Sequence, residues 1–272
     1  MAISPQKPAT HDQASAAFGA YLRHWRGLRR HSQLSLSLAA DISARHLSFL
    51  ESGRARPSRE MVLRLADALA MPKDAANQAL GSAGFAPVFP ALDASASELA
   101  PVRRATAAMI ERHDPYPAFV IDRHWNVIDA NKAAAFLFSH LALPADKPAN
   151  LVDALIAAEP MGLIENWTET ARLSLVRLRA EDTALGGDAV LRARIDVVEK
   201  LLRERGDQDE EIDLGRAVIP TVFRLGDMRL KVFSTIAAFS TVQDVNAGDI
   251  RIELMFPEDD ATAAFFEEAG VQ

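Results

Sequence analysis

Arg45, Ser48, Phe49 and Ser52 stand at positions i, i+3, i+4 and i+7, a spacing that gathers them onto one face of a helix. Leu47 and Leu50 then fall on the opposite face, with Ala44 and His46 on the flanks. An arginine near the start of such a helix can give paired hydrogen bonds to guanine O6 and N7. An outward alanine or ring can touch a thymine methyl. Gln33 stands at the start of a preceding helical stretch, where a side chain and the helix dipole can meet a phosphate. Arg54 and Arg56 follow in a turn, placed to reach backbone phosphates. The chemistry implied is the reading of a DNA major groove rather than bond making. The candidate contacts are Gln33, Ser43, Ala44, Arg45, His46, Ser48, Phe49, Arg54 and Arg56. Some carry a plainer alternative. Phe49 either faces out or packs half-buried against the first helix of the pair. His46 either touches a base or is a bystander on the flank. The two turn arginines either grip phosphate or form a solvated basic turn.

These side chains need two short helices joined at a fixed angle. The sequence predicts one helix over about Gln33–Ala40, a corner at Asp41-Ile42, and a second helix from Ala44 to about Glu51. Ser43 suits the N-cap of the second helix, its hydroxyl accepting a bond from a free backbone N–H. Leu36, Ala40, Ile42, Leu47 and Leu50 are the apolar positions such a pair must bury, and Ser37 is small where the helices cross. Gly53 suits the left-handed residue past a helix end. Phe18, Leu22 and Trp25 mark an amphipathic helix over about 13–30. Ser58 can cap another over 59–70 with Met61, Leu65 and Leu69 inward, and Ala76 and Leu80 mark one over 72–83.

The run LRRHSQLSLSLAADISARHLSFLESGRARPSREMVLRLADALAMP resembles the five-helix DNA-binding domain of the xenobiotic-response-element, phage-repressor-like family, over about residues 16–83. That family usually has glycine at the corner, where this chain has Asp41. Aspartate tolerates a left-handed backbone better than most residues. Within the run, SxRHLSFLESGRxRPS is similar to a bacterial subgroup whose C-terminal half resembles the ligand-binding domain of MmyB-like transcription regulators.

Length and charge set the wider frame. A chain of 272 residues suggests two domains. Residues 1–90 hold 11 Lys and Arg against 6 Asp and Glu, while the remainder holds 19 against 31. Basic charge is thus concentrated where DNA contact is expected, and the acidic remainder should be repelled by DNA. There is no cysteine, which removes disulfides, thiolate chemistry and cysteine-based zinc sites. No apolar stretch suggests a signal peptide or membrane span, so a cytoplasmic protein without a membrane partner is expected.

The domains expected are a disordered lead (1–13), a helix-turn-helix domain (14–84), a linker (85–97) containing GFAPVFP, and a second domain (98–272). In the second domain AFVID reads as a strand, Arg123-His124 as a turn and Trp125–Asp129 as the returning strand. Asn131 then caps a helix through Leu137. Helices follow over about 163–179 and 188–205, then a charged loop over 204–213. Strands are expected over 217–225, 228–234, 235–240 and 250–256, with Gly226-Asp227 as a hairpin turn, and a last helix over 259–269. The wording PAFVIDRHWNVIDANKAAAFLF, IPTVFRLGDMRLKVFSTIAAFST and IRIELMFPEDDATA resembles the MmyB-like family, whose domain is PAS-like. The fold class expected is α+β: an all-α five-helix helix-turn-helix domain followed by a PAS-like α/β sensor domain.

Catalytic and metal residues are absent from this reading. His113-Asp114 lacks the further ligands a metal site requires, and neither glycine cluster has a phosphate-loop context. No Gly-x-Ser-x-Gly elbow occurs. No motif supports haem on His140, and no cofactor is expected. Phe119, Ile121, Trp125, Phe136, Trp167, Phe223, Phe233, Phe239 and Met255 are the large side chains expected to face the second domain's interior. They either fill a core or line a pocket. The resemblance implies a pocket, for an apolar or acyl ligand. The function expected is a homodimeric, sequence-specific transcriptional repressor that binds a double-stranded DNA operator and senses a small molecule. The alternative is a constitutive DNA binder whose second domain serves dimerisation or protein docking. A DNA-tethered enzyme is disfavoured by the missing triad and metal spacing.

Overall fold

Three serine hydroxyls set where the early helices begin. Ser32, Ser43 and Ser58 each accept a bond from the backbone N–H three residues on, satisfying a donor that a helix start leaves free. They open α2 (Gln33–Ala39), α3 (Ala44–Glu51) and α4 (Arg59–Ala68), between α1 (His11–Leu28) and α5 (Lys73–Ser82). This computed structural model describes residues 11–92, 95–141, 143, 148–206, 218–239 and 243–269. The lead before residue 11 and most of the charged run 204–213 lie outside the described residues.

Phe18, Leu22 and Trp25 of α1 share one core with Leu36, Leu47, Leu50, Val62, Leu65 and Leu80. Met61 is only partly buried, because Val62 and Ala66 take the inner positions of α4. At the corner Asp41 adopts φ +51, and the Ile42 N–H returns to the Ser37 carbonyl at 2.9 Å. The chain divides into two compact units: Met1–Pro90 with Asp182–Asp188, and Ala91–Glu181 with Ala189–Gln272.

In the second unit β1 (Ala118–Ile121), β2 (Val127–Ala130), β3 (Thr221–Leu225), β4 (Met228–Ala238) and β5 (Arg251–Pro257) form one antiparallel sheet. Its order is β2-β1-β5-β4-β3, so the last strand of the chain becomes the central one. The helices are α6 (Ala100–Glu111), α7 (Lys132–Ser139), α8 (Leu151–Met161), α9 (Trp167–Ala184), α10 (Ala189–Glu204), α11 (Val245–Gly248) and α12 (Asp260–Ala269). Strand alternation sorts the faces. Val120 and Ile252 pack with Ile110 of α6. Phe119 and Ile121 pack with Ala134 of α7, and Leu230 and Val232 with Phe266 of α12. Asn131 joins β1 to α7. Its Oδ1 accepts from the N–H groups of Ala118 and Ala134, and its Nδ2 donates to the carbonyls of Tyr116 and Ile110. The architecture is the expected one, an N-terminal helical region followed by a sheet-and-helix domain.

Four local expectations are corrected. Helix α8 was not anticipated: LVDALIAAEPM is apolar nearly all round, so no polar stripe betrays its period, and Pro160 reads as a breaker. The short α11 was also unforeseen. Strand β4 is continuous rather than two strands, because β5 pairs with it from Val232 to Ala238, past the polar Ser234-Thr235 step. Trp125 belongs to the turn, not to β2. Asp122 Oδ1 accepts from the N–H groups of His124 and Asn126, and Trp125 is left at φ +66. Gly226 opens the β3–β4 hairpin at φ +63, a conformation that suits glycine.

Candidate functional site

Helix α3 presents Arg45 exposed, with Ala44, His46, Ser48 and Phe49 partly buried, while Leu47 and Leu50 are fully enclosed. The Phe49 ring, half-buried, lies beneath the Arg45 guanidinium at 5.4 Å. Position i+4 thus supports position i from below, and the charge stays outside over the ring face. Ser43 caps the helix through the His46 N–H at 3.1 Å. Past its end, Arg54 and Arg56 are both exposed. Apart from Gln33, which opens α2, the side chains expected to meet bases and phosphates are therefore gathered on one short helix and at its two ends.

What fixes that helix was not legible as a motif. Glu51, its last residue, is buried with its side chain 2% exposed. Arg26 of α1 engages both its carboxylate oxygens, through Nε and Nη2. The Gln33 amide donates to Oε2 at 2.7 Å, and Arg23 Nη2 donates to the Glu51 carbonyl at 2.7 Å. The Arg26 guanidinium is pushed above its ordinary range, first by the Glu51 hydrogen bonds, with burial opposing and the Glu51 charge adding. One carboxylate thereby ties α1, α2 and α3 together. An amide has two hydrogens; Gln33 commits one to Glu51, which holds its side chain at the start of α2 with the second available to an anion. Gly19 of α1 lies against the same end of α3. A Cβ there would sit 2.6 Å from the Leu50 and Glu51 carbonyl oxygens, so only glycine allows this crossing.

In the second unit a recess of about 140 Å³ opens between the sheet and helices α7, α8 and α9. Phe119, Trp125, Phe223 and Met255 stand on its wall with Leu137, Phe138, Leu155 and Ile164. Its polar side is formed by Thr170, Ser174, Thr221, Ser234 and Glu253. The Trp125 indole donates to Glu181 Oε2 at 2.6 Å and lies 4.0 Å from the Arg177 guanidinium. A bulky residue at positive φ is costly; here those contacts and the Asp122 turn bonds hold it.

The other five candidates for this wall lie elsewhere. Ile121 packs against Phe119 and Ala134. Trp167 is buried, its indole donating to the Leu155 carbonyl at 2.7 Å. Phe136 points outward beside His140 and Phe265. Phe233 stacks on Phe256, and Phe239 joins the α6 cluster. Ring identity suggested an interior position, but strand parity sends Phe233 to the face opposite Val232 and Ser234. The sequence reading missed Glu253 and the four hydroxyls, because polar residues in strands and helices read as outward. Among the described residues no group of three or more His, Asp or Glu is placed to hold a metal ion. No helix among them is long and apolar enough to cross a membrane.

Comparison with known proteins adds two findings. Residues 102–269 match the family model described as the MmyB-like transcription regulator ligand binding domain. Residues 17–79 match a helix-turn-helix domain model. No curated protein matches the chain.

Proposed function

Because the chain belongs to the family of the MmyB-like transcription regulator ligand binding domain, with a helix-turn-helix domain ahead of it, we propose that this DNA-binding regulator is a homodimeric, cytoplasmic repressor controlled by a small ligand. The observation that carries the DNA reading is the exposed face of α3, with Arg45 steadied over Phe49 and followed by Arg54 and Arg56. Arg45 reads a base pair, Ala44, His46, Ser48 and Phe49 border it, and Ser43, Gln33, Arg54 and Arg56 contact the phosphate backbone. One recognition helix spans too few base pairs for useful specificity, so two copies bind half-sites about 34 Å apart. A ligand in the α7–α8–α9 recess changes that spacing. It does so only through different affinity for the two arrangements.

The test begins with selection of operator sequences by the full-length protein from random DNA. Arg45→Ala should then bind operator and scrambled DNA alike while keeping its helical content. A variant that still discriminates between them as wild type does would remove Arg45 from base reading. Extraction of the purified protein with organic solvent, followed by mass spectrometry and operator binding with and without the recovered compound, tests ligand control. If no compound changes operator affinity, the second domain is a dimerisation or docking module instead.

A further inference from the structure

Residues 182–188 fall inside the 102–269 ligand-binding match, yet they belong to the compact unit of Met1–Pro90. They join α9 to α10 and contain Gly186-Gly187, at φ +88 and +93. Asp182 closes the turn. Its carbonyl accepts from the Gly187 N–H at 2.8 Å, and its Oδ1 from the Asp188 N–H at 2.6 Å.

Within that unit the hairpin meets the last turn of α1 and Arg29 just past it. Arg29 Nη1 donates to the Thr183 carbonyl at 2.7 Å, and Nη2 to the Ala184 carbonyl at 2.9 Å. Both carbonyls lie at the C-terminal end of α9, where a helix runs short of partners and carries its partial negative charge. A forked guanidinium serves two of them at once. His24 Nε2 stands 2.8 Å from the Gly186 carbonyl oxygen. A Cβ on Gly186 would lie 2.4 Å from Trp25 Cζ2, so only a hydrogen fits there. The same stretch of α1 mounts α3. Arg23 and Arg26 hold Glu51, and Trp25 shares a core with Leu47 and Leu50. Residues 23–29 thus receive the hairpin and carry α3.

We infer that the α9–α10 hairpin is a regulatory clasp on the DNA-binding unit. Docked on His24, Trp25 and Arg29, it stiffens the mount of α3 and favours DNA binding. Released, it lets α1 and α3 loosen, and DNA affinity falls. Helix α9 is continuous from Trp167, so the helix that ends in the clasp also carries Thr170 and Ser174 of the recess. The clasp goes beyond the ligand reading and does not depend on it.

Gly186→Val in the full-length protein forces the hairpin off Trp25. With 5-fluorotryptophan labelling, the Trp25 fluorine resonance should move while those of Trp125 and Trp167 stay. Amides of α1 and α3 should exchange with deuterium about tenfold faster, and affinity for DNA selected by the wild type should fall about tenfold. Gly162→Ala places a Cβ at another left-handed position, with nothing within 4 Å, and should change neither. A Trp25 resonance that stays in place overturns the inference, since the hairpin was then never seated. So does a moved resonance with α3 exchange and DNA affinity as in wild type, or a matching loss in Gly162→Ala. The wild type decides the matter even where the valine chain does not fold. Coupling is reciprocal, so saturating DNA should slow exchange of the Gly187 and Asp188 amides about tenfold while β4 and β5 keep their rates. Unchanged rates at those two amides refute the clasp.

Discussion

Replacing Glu51 by glutamine tests whether one carboxylate holds α3 in place. The substitution keeps the side-chain length and leaves Arg26 with its charge unpaired in a mostly buried position, its side chain 19% exposed. Removing one partner of a buried ion pair costs about 3–5 kcal/mol. The residual exposure of Arg26 and its bond to the His31 carbonyl at 2.9 Å soften that penalty, so about 2–4 kcal/mol is expected. At tenfold per 1.4 kcal/mol, amides of α1, α2 and α3 should exchange with deuterium roughly thirty- to several-hundred-fold faster. Amides of the five-stranded sheet should keep their rates. The double variant Arg26→Met, Glu51→Leu should recover most of the loss, since removing both partners leaves no stranded charge. The raised Arg26 group contributes stability that is fully present below its unfolded value and lost only as pH rises through the folded one. Both lie far into the alkaline range, so the effect should be flat across neutral pH. A change below fivefold in α1–α3 exchange would refute the reasoning, as would a double variant no more stable than the single one.

Three further outcomes are expected. Arg54→Ala should weaken binding to all DNA sequences alike and lower the slope of log affinity against log salt by about one; an unchanged slope removes Arg54 from the phosphate contacts. Asn131→Ala strands the backbone groups of Ala118, Ala134, Tyr116 and Ile110, at a cost of about 2–3 kcal/mol, read by urea denaturation with Trp125 and Trp167 fluorescence; a loss under about 0.5 kcal/mol contradicts this. Asp259 is held below its ordinary value by hydrogen bonds from the Thr262 hydroxyl and N–H and then by Lys231. Its contribution is present above its unfolded value, about 3.9, and lost as pH falls through the folded one. Acid should therefore loosen α12 before β5 in wild type, and Asp259→Asn should lack that step in an exchange experiment run against pH.

The legible parts of the molecule were those governed by local spacing. Helix α3 runs from Ala44 to Glu51 as its apolar period and the Ser43 cap dictate, and the left-handed corner falls on Asp41. The role of Glu51 was hidden because its partner Arg26 lies 25 residues away, and a helical wheel shows only which way a side chain points. The candidate recess was read from ring size. Four of nine large residues stand on its wall, since register, not bulk, decides which face a strand residue takes. The wall's polar side needed β5 in the middle of the sheet, a long-range pairing with no local signal.

Helix α3 divides its labour by face. Leu47, Leu50 and Glu51 are enclosed against the rest of the domain, while Arg45 is open to solvent and Ala44, His46 and Ser48 border it. Substitutions on the open face leave the ion pair and the Gly19 crossing untouched. Under the proposed base-reading role, target preference can therefore be changed on the open face without a compensating change in the scaffold. The enclosed face has no such freedom, for an exchange at Glu51 demands a simultaneous one at Arg26.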